Sequence, residues 1–126
     1  MRWGKYKKCL AIQFKALGER HPSVATTFHN IGFVYRQQGK HEMALEQYAK
    51  CLAIKITALG EDHPDVAKTY NSVAVAKCDM ADVLEKQGEL ARAGGLFRES
   101  AAIFSKVHGA QHEETLGALK DARRCE

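Results

Sequence analysis

The sequence predicts an all-α protein made from a repeated helix pair, with about six antiparallel helices of which one is elongated. Three observations carry that expectation. The hexapeptide LGERHP at 17–22 returns as LGEDHP at 59–64, so Gly18 and His21 recur as Gly60 and His63 after 42 positions. Self-similarity at a fixed period is the mark of a repeat array. Between the two copies, apolar residues fall at helical spacing, first Val24, Phe28, Ile31, Val34 and Tyr35, then Leu45, Tyr48, Leu52 and Ile56. The punctuation agrees: Pro22 suits a first helical turn, Gly39 breaks the middle, and Gly60 suits a left-handed helix terminus. The unit is therefore helix, tight turn, helix, tight turn, and the hexapeptide ends one pair and opens the next.

The pattern extends outward in both directions. Residues 2–16 match 44–58, so the chain opens on the second helix of a unit. VHGAQHEETL is a worn third copy of the joint, with Gly109 and His112 following Gly60 and His63 after 49 positions. This divides one array into a half repeat at 1–17, a full repeat at 18–59, an extended repeat at 60–108 and a half repeat at 109–126. Helices are expected near 2–16, 23–38, 41–57, 65–87, 90–106 and 113–124. The seven extra residues fall inside the fourth, around VAKCDMA. Seven residues make nearly two turns, so the apolar stripe drifts by only about 20° while the helix lengthens by roughly 10 Å. Val66, Tyr70, Val73, Met80 and Leu84 stay on one stripe, which predicts one long helix rather than a looped-out insertion.

Composition narrows the function. The chain has 126 residues, is 45% hydrophobic and carries a net charge of +4 with both signs interspersed. That is one ordinary domain, too apolar for a disordered tail and too mildly basic to point to nucleic acid. No apolar run reaches the length of a membrane span, and the first residues lack a signal-peptide pattern. Of four cysteines, Cys9 and Cys51 stand 42 positions apart in one repeat slot that wants a small apolar residue, and no CxxC occurs. A reduced, cytoplasmic protein without metal or cofactor is the expectation.

These residues resemble tetratricopeptide (TPR) repeats of the longer type found in kinesin light chains. Phe28, Ile31, Gly32 and Tyr35 match the aromatic, leucine, glycine and tyrosine positions of the TPR first helix, and Ala44, Tyr48 and Cys51 those of the second. Ala81, Ala93, Phe97 and Ser100 match in the next unit, with Ala81 in the glycine's place. LGEDHPDVAKTYNS and VYRQQGKHEMALEQY resemble the kinesin-light-chain type in particular. The resemblance implies a right-handed superhelical solenoid in which Gly32, Ala44, Ala81 and Ala93 let helices approach, and Phe28, Tyr35, Tyr48, Tyr70 and Phe97 fill the space between.

Catalytic chemistry has few footholds. No paired carboxylates, phosphate-binding glycine loop or Gly-x-Ser-x-Gly is present. His108 and His112 have i, i+4 spacing, but Gly109 lies between them, and His112 repeats His21 and His63, so its expected duty is to begin a helix. A protein without enzymatic activity, acting through its surface, is the expectation.

The resemblance places the first helix of each pair on a concave, partner-binding face. Outward positions are then His29, Asn30, Phe33, Arg36 and Gln37 in the first repeat, and Asn71, Ser72, Val75, Cys78, Asp79, Asp82 and Lys86 in the long helix. Lys120, Asp121 and Arg124 follow in the last. Kinesin-light-chain-type grooves take extended peptides with an aromatic residue flanked by acidic ones. By that likeness Asn30 would hold peptide backbone, Phe33 an apolar side chain and Arg36 a carboxylate, although Asp79 and Asp82 oppose a uniformly basic groove. Phe33 is the residue without a packing reason to be outward. The alternative is a self-assembly unit: Trp3, Tyr6, Leu10 and Phe14 at one end and Leu116 and Leu119 at the other would be uncovered, leaving surfaces for homo-oligomers, or the far half of the long fourth helix would be exchanged between copies.

Overall fold

In the computed structural model, the backbone of residues 2–17 and 21–126 and the side chains of residues 4–13 and 21–126 are described. Six helices follow one another: α1 (Arg2–Leu17), α2 (Pro22–Gln37), α3 (His41–Leu59), α4 (Pro64–Lys86), α5 (Leu90–His108) and α6 (Glu113–Arg124). Among the described residues there is no strand. The expected boundaries hold to within two residues. Helix α4 is continuous over 23 residues against 16 for α2, so the seven additional residues are absorbed as helix.

The histidine of the repeated joint has a local duty. His21 Nδ1 accepts the Ser23 backbone N–H at 3.1 Å, His63 Nδ1 that of Asp65 at 3.0 Å, and His112 Nδ1 that of Glu114 at 3.1 Å. Each imidazole thus satisfies one of the orphan donors of a helix start, as Ser or Asp does elsewhere. The tautomer must carry its proton on Nε2 to leave Nδ1 as acceptor. Helices α2 to α5 are followed by Gly39, Gly60, Gly88 and Gly109, all at positive φ, where a side chain would be strained.

The chain forms two compact units, residues 1–69 and 70–126. In the first, α1 and α3 pack on α2 around Val24, Ala25, Phe28, Cys51 and Ile54. Leu10, expected on a bare face, packs against this core instead, and Tyr6 is half-buried. Trp3 and Phe14 lie outside the described side chains. The close approach at Gly32 is real: a Cβ there would come within 2.8 Å of the Tyr48 ring, with the Ala44 carbonyl 3.2 Å away. The repeated cysteine slot also repeats its contact, Cys9 Sγ lying 3.8 Å from Thr27 Oγ1 and Cys51 Sγ 3.7 Å from Thr69 Oγ1. Burial pushes the Cys51 thiol up, so it behaves as a packed, inert group.

In the second unit α5 packs on α6 and on the later part of α4. One core joins Ala81, Leu84, Ala93, Phe97, Ala122 and Cys125, and another joins Ala74, Ala101, Phe104 and Ala118. Ser100 Oγ donates to the Ala74 carbonyl at 3.0 Å, tying α5 to α4 through backbone. Tyr35 and Tyr70, expected among the core aromatics, are both only half-buried, and the Tyr70 hydroxyl and one ring face lie in polar company. The Lys106 ammonium sits 4.4 Å from the centre of the Tyr70 ring, a cation–π contact. Among the described residues no helix is long and apolar enough to cross a membrane.

Candidate functional site

On α2 the buried residues Val24, Phe28 and Ile31 leave an opposite stripe of Thr26, Asn30, Phe33 and Gln37. Phe33 is 38% exposed, a large apolar ring in contact with water in the middle of that stripe. Asn30 is half-buried beside it and Gln37 is exposed, so amides flank the ring on both sides. Arg36 is half-buried at the edge. The neighbouring His29 turns toward α3 instead, its ring centroid 5.1 Å from that of Tyr48. Its pKa is lowered by burial and then by the Lys55 ammonium, so the imidazole is neutral and its role is packing.

The corresponding stretch of α4 is chemically different. Asn71 Oδ1 pairs with His108 Nε2 at 2.9 Å, which turns this amide onto α5. Val75 and Cys78 pack against the Ala74–Phe104 core, and the Cys78 thiol, pushed up by burial, hydrogen-bonds with Ser100. These three residues serve the fold. Ser72 and Asp79 are half-buried, and Asp82 and Lys86 are exposed.

Acid dominates this second face. Although Asp82 is exposed, partial desolvation of its carboxyl, and then Asp121, Asp79 and Glu85, hold it above its ordinary value. Arg124 of α6 offsets part of the charge through paired bonds of 2.7 Å from Nε and from a terminal guanidinium nitrogen to the two Glu85 oxygens. A further 2.7 Å bond reaches Asp121. Those bonds hold the Glu85 carboxyl below its usual range and raise the Arg124 pKa. Lys120 remains exposed.

Two residues of these faces carry no flag in the sequence reading. Thr26 completes the α2 stripe one turn before Asn30 and is legible from spacing. Glu85 is not, because a partner 39 positions away leaves no local signal. The His108–His112 pair is accounted for too: their ring centroids stack 4.4 Å apart, while His112 Nδ1 caps α6 and His108 Nε2 meets Asn71. Among the described residues no group of three or more His, Cys, Asp or Glu side chains could hold a metal ion.

Residues 24–65 match the tetratricopeptide repeat family. No curated protein matches the chain significantly in sequence. Among solved structures, the chain is similar to a putative kinesin light chain of nearly identical TPR-like repeats from Podosopora anserina, at 24% identity and a TM-score of 0.59. The match covers 98% of this chain and 55% of that one, and a glutamine-to-methionine variant of the same protein gives the same figures. It is also similar to BtubC from P. vanneervenii, at 22% identity and a TM-score of 0.60, over 98% of this chain and 52% of that one. The chain thus spans about half the length of these structures. Residues 24–65 thus match one tetratricopeptide repeat, and the chain shares the all-helical repeat fold of these structures.

Proposed function

We propose that this tetratricopeptide-repeat chain is a non-enzymatic protein-binding module that holds an extended peptide segment of a partner on the outward face of α2. The observation that carries the proposal is Phe33, a large ring 38% exposed between amide side chains. An Asn offers both a donor and an acceptor, which suits a peptide backbone at Asn30, with Gln37 able to do the same one turn beyond Phe33. Phe33 then takes an apolar side chain, and Arg36 at the edge takes a carboxylate. His29, which serves packing, sits at the margin of this site. Asn71 and Val75 likewise serve the fold, and Ser72 and Lys86 belong to the more acidic second unit.

A peptide array scanning extended segments with a central aromatic and acidic flanks tests the proposal. For any peptide that binds, Phe33→Asp and Arg36→Glu are expected to weaken affinity by about 1–3 kcal/mol each while leaving the helical circular dichroism unchanged. Affinity indifferent to Asn30, Phe33 and Arg36 substitutions alike would show that the face is misplaced.

A second reading, self-assembly, is favoured by a separate observation. Leu116 and Leu119 on α6 are 43% and 37% exposed, an apolar pair that no described element covers.

A further inference from the structure

Lys55 of α3 is half-buried one turn beyond Cys51, and among the described residues it makes no ion pair. Its electrostatic neighbours are the His29 imidazole on α2 and the Cys51 thiol on its own helix. Both are neutral: burial and then Lys55 lower the His29 pKa, and burial pushes the Cys51 thiol up. Among the described residues the other groups at this crossing are uncharged. Tyr48 lies against the His29 ring, and Thr69 Oγ1 turns to the Asp65 carbonyl at 3.2 Å and to Cys51 Sγ at 3.7 Å. The Asp65 carboxylate itself lies by His63, at 4.0 Å.

The slot of Lys55 is not one that the repeat reserves for an ammonium. Forty-two positions earlier it holds Gln13, whose Oε1 accepts the Thr27 hydroxyl at 2.5 Å. Forty-nine positions later it holds Phe104, a buried core ring. The counterparts of His29 are Asn71, bonded to His108, and Cys78, bonded to Ser100. Elsewhere in the chain these two slots serve the fold; here they bring a cation beside a neutral imidazole. A lysine half-withdrawn from water without an anion is destabilising, so packing alone does not account for it.

A carboxylate seated here would answer both groups. It pairs with the Lys55 ammonium and reverses the field that keeps His29 uncharged, so the imidazole takes a proton and becomes a second charged donor. The position suits the α2 face. Phe33 is one turn from His29 and Arg36 is two, so His29 and Arg36 share one edge of the helix, about 10 Å apart, with Phe33 between them. An extended peptide covers that distance in about three residues.

We propose that Lys55 and His29 form a proton-coupled subsite for a side-chain carboxylate of the bound peptide, with Arg36 taking a second carboxylate about three residues away. The proposal rests on the α2 face being the peptide site, and it adds a sign for the pH dependence. Free His29 resists protonation and the filled subsite favours it. Binding therefore takes up a proton and tightens as pH falls toward the ordinary histidine range. Carboxylates held by Arg and Lys alone would show no such dependence there.

The probe is an array of blocked peptides in which two glutamates, about two to four positions apart, flank an aromatic residue. The tightest binder is titrated calorimetrically against the whole chain, in buffers of different ionisation heat, from about pH 8 to about pH 6. The expected results are a preference for the spacing of about three residues, uptake of up to about one proton per peptide, and affinity rising by at most about tenfold per pH unit. His29→Phe keeps a ring against Tyr48 and is expected to bind without proton uptake. Lys55→Met is expected to weaken binding about tenfold at every pH, with helical content retained. Of the two peptides with a single Glu→Gln change, one is expected to lose the proton uptake and the other to keep it. Binding that needs Phe33 but takes up no proton, or takes it up equally in His29→Phe, overturns the subsite and leaves the α2 face standing. So does affinity indifferent to Lys55→Met. An array in which no binding depends on Phe33 overturns both.

Discussion

The two units solve the same helix crossing with different pairs. In the first, glycine on α2 admits Tyr48 and Ala44 of α3; in the second, Ala81 on α4 meets Ala93 and Phe97 of α5, all fully or nearly fully buried. The second unit keeps its own tight glycine one layer on, at Gly94, where a Cβ would come within 3.3 Å of the Cys125 Cβ. What the repeat requires at the crossing is a small combined volume, not a particular residue, and each unit is packed for its own pair. Their outward faces diverge as well. That of α2 is an aromatic among amides, while that of α4 gathers Asp79, Asp82 and Glu85 beside Asp121.

The largest effect separating the two crossings comes from the rings that fill them. Tyr48→Ala and Phe97→Ala should each cost about 3–5 kcal/mol in urea denaturation, because both side chains are fully enclosed. A loss below about 1 kcal/mol in either would mean that ring is not the centre of its unit. Next come the small residues opposite them. Gly32→Ala forces a methyl against the Tyr48 ring and is expected to destabilise by about 1–3 kcal/mol, despite the better helix propensity of alanine. The reverse change, Ala81→Gly, is expected to cost about 1 kcal/mol through helix propensity and the lost methyl. A neutral or stabilising Gly32→Ala would break the comparison. Smaller again is the joint: His63→Ala removes one cap bond, with an expected loss of about 1 kcal/mol by thermal melting, matched by His112→Ala.

The acidic face adds a pH dependence confined to the second unit. Asp82 titrates above its unfolded value in the fold, so its folded surroundings favour the protonated form. That contribution is fully present below the unfolded pKa and is lost as pH rises through the folded one. Glu85 is shifted the other way by Arg124, so its contribution is present above the unfolded pKa and is lost as pH falls through the folded one. Asp82→Asn should therefore raise stability at neutral pH and leave only the Glu85 dependence on the acid side. A melting temperature at neutral pH unchanged by Asp82→Asn would show that the carboxylates are too well solvated to repel one another.

Nearly all of the fold is legible in the sequence, because period, apolar spacing and end signals agree at every joint. Gly60 and Gly109 end their helices and His21, His63 and His112 begin theirs, so expected and observed boundaries differ by two residues at most. The long helix is legible because seven residues keep the stripe nearly in phase. The candidate faces are less so. Asn71, Val75 and Cys78 sit at outward positions by spacing, yet neighbouring helices draw all three into pairing or packing. His29 is taken up by Tyr48 in the same way. Spacing assigns a face of one helix, but it cannot say how far a second helix wraps around that face. Partnerships such as Arg124 with Glu85 depend on helix stacking and leave no mark in the local pattern.

The central claim, that the α2 stripe receives a partner's peptide, is tested most directly by amide NMR of the whole chain titrated with an array-selected, aromatic-centred peptide. The expected result is chemical-shift change concentrated at Asn30, Phe33, Arg36 and Gln37, including the Asn30 side-chain amide, and abolished by Phe33→Asp. A peptide that binds yet moves only residues 70–126, or moves the α2 stripe equally well in Phe33→Asp, would contradict it.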